Sequence, residues 1–467
     1  MIKTLLVAGA IYVGLLVLFS QLTKTKNKTT HNYFMAGSNL GSLLGLFTFA
    51  ATLFSTFTIL GMPDFFRAHG IGAWIFLALS DAVMVFGIMG LGYYFRKKAK
   101  QHEYMGMAGF MRDCYQTPLA GFVAFLGAFI FLIPYVAIQI RGVAIFLNQA
   151  FPDAVPLWIW ALAIVLIMLM YSEIGGLKAI IYSDTLQGIL LLIVIWIIGI
   201  SCLTNMGGIE PMFQQIEVAN KELLSVPGPN GLFDFQFLFG SMIAITLLPF
   251  TQPQISTRLI IMKDQKSLFR MAIGVGTFAI LVILPTLFIG MYGAIKYPDA
   301  STSDFLGNTL LYDQNGFIAA LVLIGLIAAA ISTADSQIFA LGGETRSLLK
   351  GEDKKMIGLA RISIVIFALL SLVFALLTSD ELVLLARTSF AGTSLLAPMI
   401  FTGLFSKKPG HLKIIPMATF GAIILFICAQ LGLINNTIGG LRMDLFLLLI
   451  LSLISIIAVW ILKENGK

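Results

Sequence analysis

Pro249-Phe250-Thr251-Gln252-Pro253-Gln254 lies inside an apolar run that covers 234–255. Two prolines four residues apart remove two backbone donors and free carbonyls from a helix. Freed backbone at membrane depth is tolerated only against protein or a water-filled cavity. A second apolar run, 42–62, carries Thr48, Ala50, Ala51, Thr52, Ser55, Thr56 and Thr58, then Gly61 and Pro63. Both runs read as interrupted helices. Either one alone is compatible with a proline kink. Their positions, five spans apart, point to a five-plus-five inverted repeat with broken first helices and a binding site at the midplane.

The rest of the chain supports a membrane reading. Of 467 residues, 58% are hydrophobic and 11% are charged, against about 25% charged in a soluble domain. The pattern is that of an all-α polytopic protein, because a β-barrel would alternate polar and apolar residues. Hydropathy gives about thirteen spans: 4–22, 42–62, 71–95, 118–150, 157–172, 182–205, 234–255, 270–295, 316–343, 357–378, 381–405, 412–434 and 443–462. The first is read as a retained helix, since no small-residue cleavage pattern follows it. The expected organisation is an extra N-terminal helix and loop (1–41), a first repeat (42–205), an extracellular loop (206–233), a second repeat (234–405) and two C-terminal helices (406–467).

Basic residues fall in alternate loops: Lys24, Lys26 and Lys28; Arg96, Lys97, Lys98 and Lys100; Arg258, Lys263, Lys266 and Arg270; Arg346, Lys350, Lys354 and Lys355; Lys407, Lys408 and Lys413. By the positive-inside rule the N-terminus is outside and the C-terminus cytoplasmic, in a plasma (inner) membrane. The cations are not gathered on a soluble face, so no nucleic-acid partner is expected. Cys114, Cys202 and Cys428 have neither metal spacing nor a disulfide framework.

The ninth span carries Ala328-Ala329-Ala330-Ile331-Ser332-Thr333-Ala334-Asp335-Ser336. On a helix, Ala329, Ser332, Thr333 and Ser336 share one face. Hydroxyls and a carboxylate at this depth are costly unless something binds them. These hard oxygen donors suit a hard cation rather than a transition metal. The bland alternative is that Ser332 and Thr333 bond back to their own helix. Three further charges lie at membrane depth: Asp81, Arg141 and Arg387. Arg141 is a candidate partner for a substrate carboxylate or for Asp81. Arg387 is a candidate gate residue, or one that snorkels outward.

Several stretches together resemble the sodium:solute symporter family, which includes proline, pantothenate, sialic acid and sugar symporters. They are Tyr33-Phe34-Met35-Ala36-Gly37-Ser38-Asn39-Leu40-Gly41, Gly61-Met62-Pro63, Gly175-Gly176-Leu177-Lys178-Ala179 with Ser183-Asp184-Thr185-Leu186-Gln187, and Ala329 to Ser336. The resemblance runs over nearly the whole chain and implies a LeuT-type fold with broken first and sixth core helices. It implies a main Na⁺ site at Ala51, Phe54, Ala329, Ser332 and Thr333. Some members carry a second Na⁺, and the matching positions here are Ser332, Asp335, Ser336 and Asp184. Asp335 departs from that pattern, where those members place a hydroxyl. Asp184 is read near the start of its helix, where a dipole role is the alternative.

The implied fold lines its pocket with Ser55, Thr56 and Thr58, with Phe250, Thr251 and Gln252, and with Tyr135 and Gln139. For each of these, helix–helix packing is the alternative. The expected function is secondary active transport: Na⁺-coupled symport of a small organic solute of the amino acid, carboxylate, vitamin or sugar class. Proton coupling through Asp81, Asp184 or Asp335 is the alternative within transport, and a transporter-like solute sensor is a third reading. An enzyme is not expected, because His31, His69, His102 and His411 lie in loops or at span ends and no catalytic cluster appears.

Overall fold

A computed structural model describes residues 2–22, 30–152, 154–172, 176–349 and 353–465. Gly175 therefore lies outside the described residues. The chain is almost entirely helical: α1 (Ile2–Leu22), α2 (Ser42–Leu53), α3 (Met62–His69), α4 (Ser80–Gln101), α5 (Met107–Tyr115), α6 (Pro118–Ala150), α7 (Leu157–Ser172), α8 (Gly176–Asn205), α9 (Phe235–Thr251), α10 (Pro253–Ile260), α11 (Gln265–Lys296), α12 (Gly316–Leu348), α13 (Asp353–Leu377), α14 (Leu382–Ser394), α15 (Ala397–Phe405), α16 (Ile414–Gln430) and α17 (Met443–Asn465). Among the described residues eight helical stretches can cross a membrane unbroken. Two bent pairs each form one further span, α2 with the segment Phe57–His69 and α9 with α10, and both bend by 60°. The expected breaks are therefore present, at the expected places.

Burial sorts the helices into a centre and a rim. α12 is apolar on nearly all sides and its residues are buried from Ala319 to Thr345 over most of its length. A helix with apolar residues on every face needs apolar neighbours on every face. By contrast, Ile362, Val365, Ile366, Leu369, Leu370 and Val373 of α13 are exposed, as are Ile456, Ile457 and Trp460 of α17. An exposed face made of such residues belongs against lipid tails, not water.

One end of the bundle is held by cations on helix C-termini. The Arg96 guanidinium donates to the Met262 and Lys263 carbonyls at 2.5–3.0 Å, just beyond α10. Lys98 Nζ donates to Gly403 and Leu404 O at the end of α15, both at 2.8 Å. The last carbonyls of a helix lack internal partners and carry partial negative charge, so a cation there is stabilising. α5 and α12 cap each other. Glu344 accepts from the Met107 and Ala108 amides at 2.7 and 2.6 Å, and Arg112 donates back to Ser347 and Leu348 O at 3.0 and 2.8 Å.

Three expectations need correction. The loop 206–233 contains an amphipathic helix, Ile209–Asn220, which buries Met212 and Ile216. α5 was not anticipated, because its nine residues are too few to read as a span. Arg258 is not a loop cation: it lies in α10 and is 1% exposed.

Close helix approach depends on small residues in places. At Gly290 of α11, an added Cβ would lie 2.5 Å from Phe66 Cβ and 2.6 Å from Pro63 O. Neither atom is the end of a movable side chain. Gly290→Ala is therefore expected to cost about 1–3 kcal/mol by overpacking and to lower the thermal midpoint in detergent. Gly90→Ala is the control, since an added Cβ there meets nothing within 4 Å. An unchanged midpoint for Gly290→Ala would refute the close packing of α3 on α11.

Candidate cation and solute site

The first break follows from backbone groups being captured by side chains. Phe54 is extended (φ −91°, ψ 121°), so the ladder of α2 stops there. Several of the freed groups find partners. The Ser55 amide donates to Thr58 Oγ1 at 3.1 Å, the Thr56 amide to Gln139 Oε1 at 3.2 Å, and the Phe57 amide to Ser55 Oγ at 3.2 Å. The Leu53 carbonyl accepts from Tyr135 Oη at 2.7 Å. Gln139 Nε2 also donates to Ser55 Oγ at 3.1 Å. No proline stands at this break. Short hydroxyl side chains offer the backbone an alternative to the helix, and here they are used. A π-turn, Phe57–Gly61, then leads into α3.

The second break has a different cause and nearly the same geometry. Gln252 is extended (φ −100°, ψ 119°), close to the values at Phe54. The residue before a proline is pushed out of the helical region, and Pro253 follows Gln252. Pro249 stays inside α9. The break therefore comes from Pro253 rather than from both prolines together. The two broken helices are joined at the basic end: Leu40 N donates to Ile261 O at 3.0 Å and Lys263 N to Leu40 O at 2.9 Å.

The hydroxyls of α12 meet the first break. Ser332 Oγ lies 2.9 Å and Thr333 Oγ1 3.0 Å from the Ala51 carbonyl, and both hydroxyls donate to it. They do not bond back to their own helix. Ala51 O is free because its helical donor, the Ser55 amide, has turned to Thr58. Ser332 Oγ also lies 2.9 Å from Asp184 Oδ1. A serine has one hydrogen, so it serves one acceptor at a time. Ala51, Ser332 and Thr333 thus bring three neutral oxygens together, with Phe54 at the break and Ala329 one helical turn before Thr333. Hydroxyls that rotate their lone pairs inward make such a group fit a small hard cation. Among the described residues no cluster of three His, Cys, Asp or Glu side chains could hold a transition metal.

Two of the four positions expected to form a second cation site, Asp184 and Ser336, contact a guanidinium. Arg258 and Asp184 form an ion pair at 3.4 Å, each side chain 1% exposed. Arg258 also donates to Ser336 Oγ at 2.6 Å and to Gln254 O at 2.8 Å. Thr48 Oγ1 donates to Asp184 Oδ2 at 2.5 Å. Asp184 stands two turns inside α8, so it does not act as a helix-end charge. Asp335 is buried, and its Oδ1 has no partner among the described residues. Sequence reasoning missed Arg258. Its signal was a lone cation flanked by Leu259, Ile260 and Ile261.

The other intramembrane charges have specific partners. Arg141 pairs with Asp380 at 2.6 Å, not with Asp81. Arg387 pairs with Asp444 at 2.7 Å and donates to Ser241 Oγ at 3.0 Å, so it is held inside and does not snorkel. Asp81 lines a small cavity between the two breaks, with Leu53, Phe54, Phe57, Leu248 and Phe390. Of the solute candidates, Ser55, Thr56, Thr58, Tyr135 and Gln139 converge on the first break as described. Thr251 Oγ1 donates to Leu247 O at 3.1 Å. Phe250 packs between Phe95 and Phe401. Gln252 accepts from Gln254 Nε2 at 2.7 Å, and its own Nε2 has no partner among the described residues. A wider cleft of about 950 Å³ opens at the basic end beside Tyr104, Ile260 and Arg346, away from both clusters.

Removing one partner of a buried ion pair leaves the other stranded, at a cost of about 3–5 kcal/mol. Arg258→Met is expected to destabilise on that scale, and Arg258→Met with Asp184→Leu to regain most of the loss. Unfolding midpoints of the single and double variants test this. Strictly additive losses would show that the pair is not coupled.

The model of the sodium:solute symporter family matches residues 33–411. The sodium/pantothenate symporter of Haemophilus influenzae is 24% identical over 328 residues, covering 69% of this chain and 66% of that one. The osmoregulated proline transporter OpuE of Bacillus subtilis is 22% identical over 455 residues, covering 93% of this chain and 90% of that one. The solved structure of a Na⁺-coupled sialic acid symporter superposes with a TM-score of 0.78 at 17% identity, covering 98% of this chain and 96% of that one.

Proposed function

Because the chain belongs to the sodium:solute symporter family, we propose that it carries a small organic solute into the cell with Na⁺ by alternating access. The observation that carries this reading is the Ser332 and Thr333 hydroxyl pair on the Ala51 carbonyl, across the first break. In this reading Na⁺ binds Ala51, Phe54, Ala329, Ser332 and Thr333. It replaces the two hydroxyl–carbonyl hydrogen bonds and ties α12 to α2. Five neutral oxygens bind a cation reversibly, and a transporter must release its ion.

The solute lies where the two breaks face each other, in the cavity beside Asp81. Ser55, Thr56, Thr58, Tyr135 and Gln139 act on it by holding the shape of the first break. Phe250, Thr251 and Gln252 do the same at the second. Na⁺ then raises solute affinity, and the solute raises Na⁺ affinity by the same factor. Release of Na⁺ to the cytoplasm loosens α12 from α2 and frees the solute. The basic end is the cytoplasmic face, with the N-terminus outside and the C-terminus inside. Residues 42–205 and 234–405 are the two repeats.

Arg258 has a defined place in this scheme. Its guanidinium occupies the donors Asp184 and Ser336, so it stands in for a second cation and the cycle uses one Na⁺. A proton-coupled reading rests on one observation, the unpartnered Asp335 Oδ1.

Na⁺, but not K⁺, is expected to raise the thermal midpoint of the purified protein. The transported solute, sought among small organic metabolites, should add to that shift only in Na⁺. Ser332→Ala with Thr333→Ala should abolish the Na⁺ effect. A midpoint that ignores Na⁺ and follows pH would overturn the Na⁺ assignment and favour Asp335.

A further inference from the structure

Asp81, like Asp335, differs from the other buried carboxylates in lacking a partner among the described residues, and it lines a cavity. Asp184 accepts from Thr48 and Arg258 and lies 2.9 Å from Ser332 Oγ. Asp444 is paired with Arg387, and Glu344 accepts two backbone amides. Asp81 is only 6% exposed, and no hydrogen bond or ion pair reaches it among the described residues. It faces a cavity of about 10 Å³, enough for roughly one water. The rest of the lining is apolar, and four of its nine other residues are aromatic: Phe54 and Phe57 come from the first break, Phe76 from the turn before α4, and Phe390 from α14. No Lys, Arg or His lines it.

Two physical terms then agree on the charge of a ligand. A carboxylate in apolar surroundings is costly to keep ionised unless a cation meets it. The faces of aromatic rings also attract a cation, and an aromatic cage suits an alkylated ammonium group. An anionic solute would find a carboxylate and no compensating charge. We propose that the solute of this transporter is a compact organic cation, with its positive nitrogen on Asp81 and the Phe54, Phe57, Phe76 and Phe390 side chains around it. The cavity is closed to anything larger than a water, so the helices part to admit the ligand. Phe54 and Phe57 lie within the break that exposes the Ala51 carbonyl, so the ligand and Na⁺ act on one hinge. This inference rests on the Na⁺-symport reading and deepens it.

The test uses the full chain in detergent with Na⁺ present, and K⁺ as the replacement ion. The probes are tetramethylammonium, choline and putrescine, with 3,3-dimethylbutan-1-ol as the uncharged carbon isostere of choline. At least one ammonium should raise the thermal midpoint in Na⁺. For choline, the isostere should bind at least about tenfold more weakly, the scale set by losing one charged contact. Asp81→Asn should weaken ammonium binding by a similar factor. The Na⁺ shift measured without solute reports whether that variant is folded. Asp81→Glu is a second variant that keeps the charge and should retain part of the binding. The proposal is overturned if no ammonium stabilises, if choline and its isostere bind equally, or if folded Asp81→Asn binds as the wild type does. Loss of the Na⁺ shift in the wild type would instead overturn the symport reading.

Discussion

A peptide group at membrane depth has no water to turn to, and the rest of this structure depends on how that constraint is met at Phe54. Breaking α2 there releases amides and carbonyls that would be costly to leave unpaired. Thr58, Gln139, Ser55 and Tyr135 take up the amides of residues 55–57 and the carbonyl of Leu53. The Ala51 carbonyl is met from another helix, by Ser332 and Thr333. The same interactions that make the break tolerable therefore assemble the candidate cation site. In this region the packing contacts and the candidate cation ligands are the same groups.

The charges follow a related logic. Buried ions survive when other groups compensate them. Arg258 reaches Asp184, Ser336 and the carbonyl of Gln254, which links α8, α12 and α10 through one side chain. Arg387 reaches Asp444 and Ser241, linking α14, α17 and α9. These pairs join helices that are far apart in the chain. Each pair also contacts one half of the second broken helix, Arg258 from within α10 and Arg387 through Ser241 of α9. At the basic end, Glu344 and Arg112 exchange caps between α12 and α5. The helix that carries Ser332 and Thr333 is thereby held at its far end as well.

Much of the architecture could be read along the chain. Low charge content and long apolar runs required a helical membrane protein, because only internally paired backbone survives in hydrocarbon. The breaks near Ser55 and Pro253 were visible as local chemistry: hydroxyl side chains at one and a proline at the other. The hydroxyl face of 329–336 was visible as helical spacing. Short helices such as Met107–Tyr115 were not, since nine residues carry too weak a periodic signal. Arg258 was misplaced because a cation just past an apolar run looks the same in sequence whether it faces water or a buried carboxylate.

The sequence by itself determined which long stretches are helices, where two of them break, and which oxygens face one way on α12. These are local properties, set by residue type and spacing within a few turns. Tertiary structure decided the partners. Ala51 is 281 residues from Ser332, Asp184 is 74 from Arg258, and Arg387 is 57 from Asp444. Helix propensity does not encode such distances. They are set by which faces pack together, and so is the isolation of Asp81 among phenylalanine side chains.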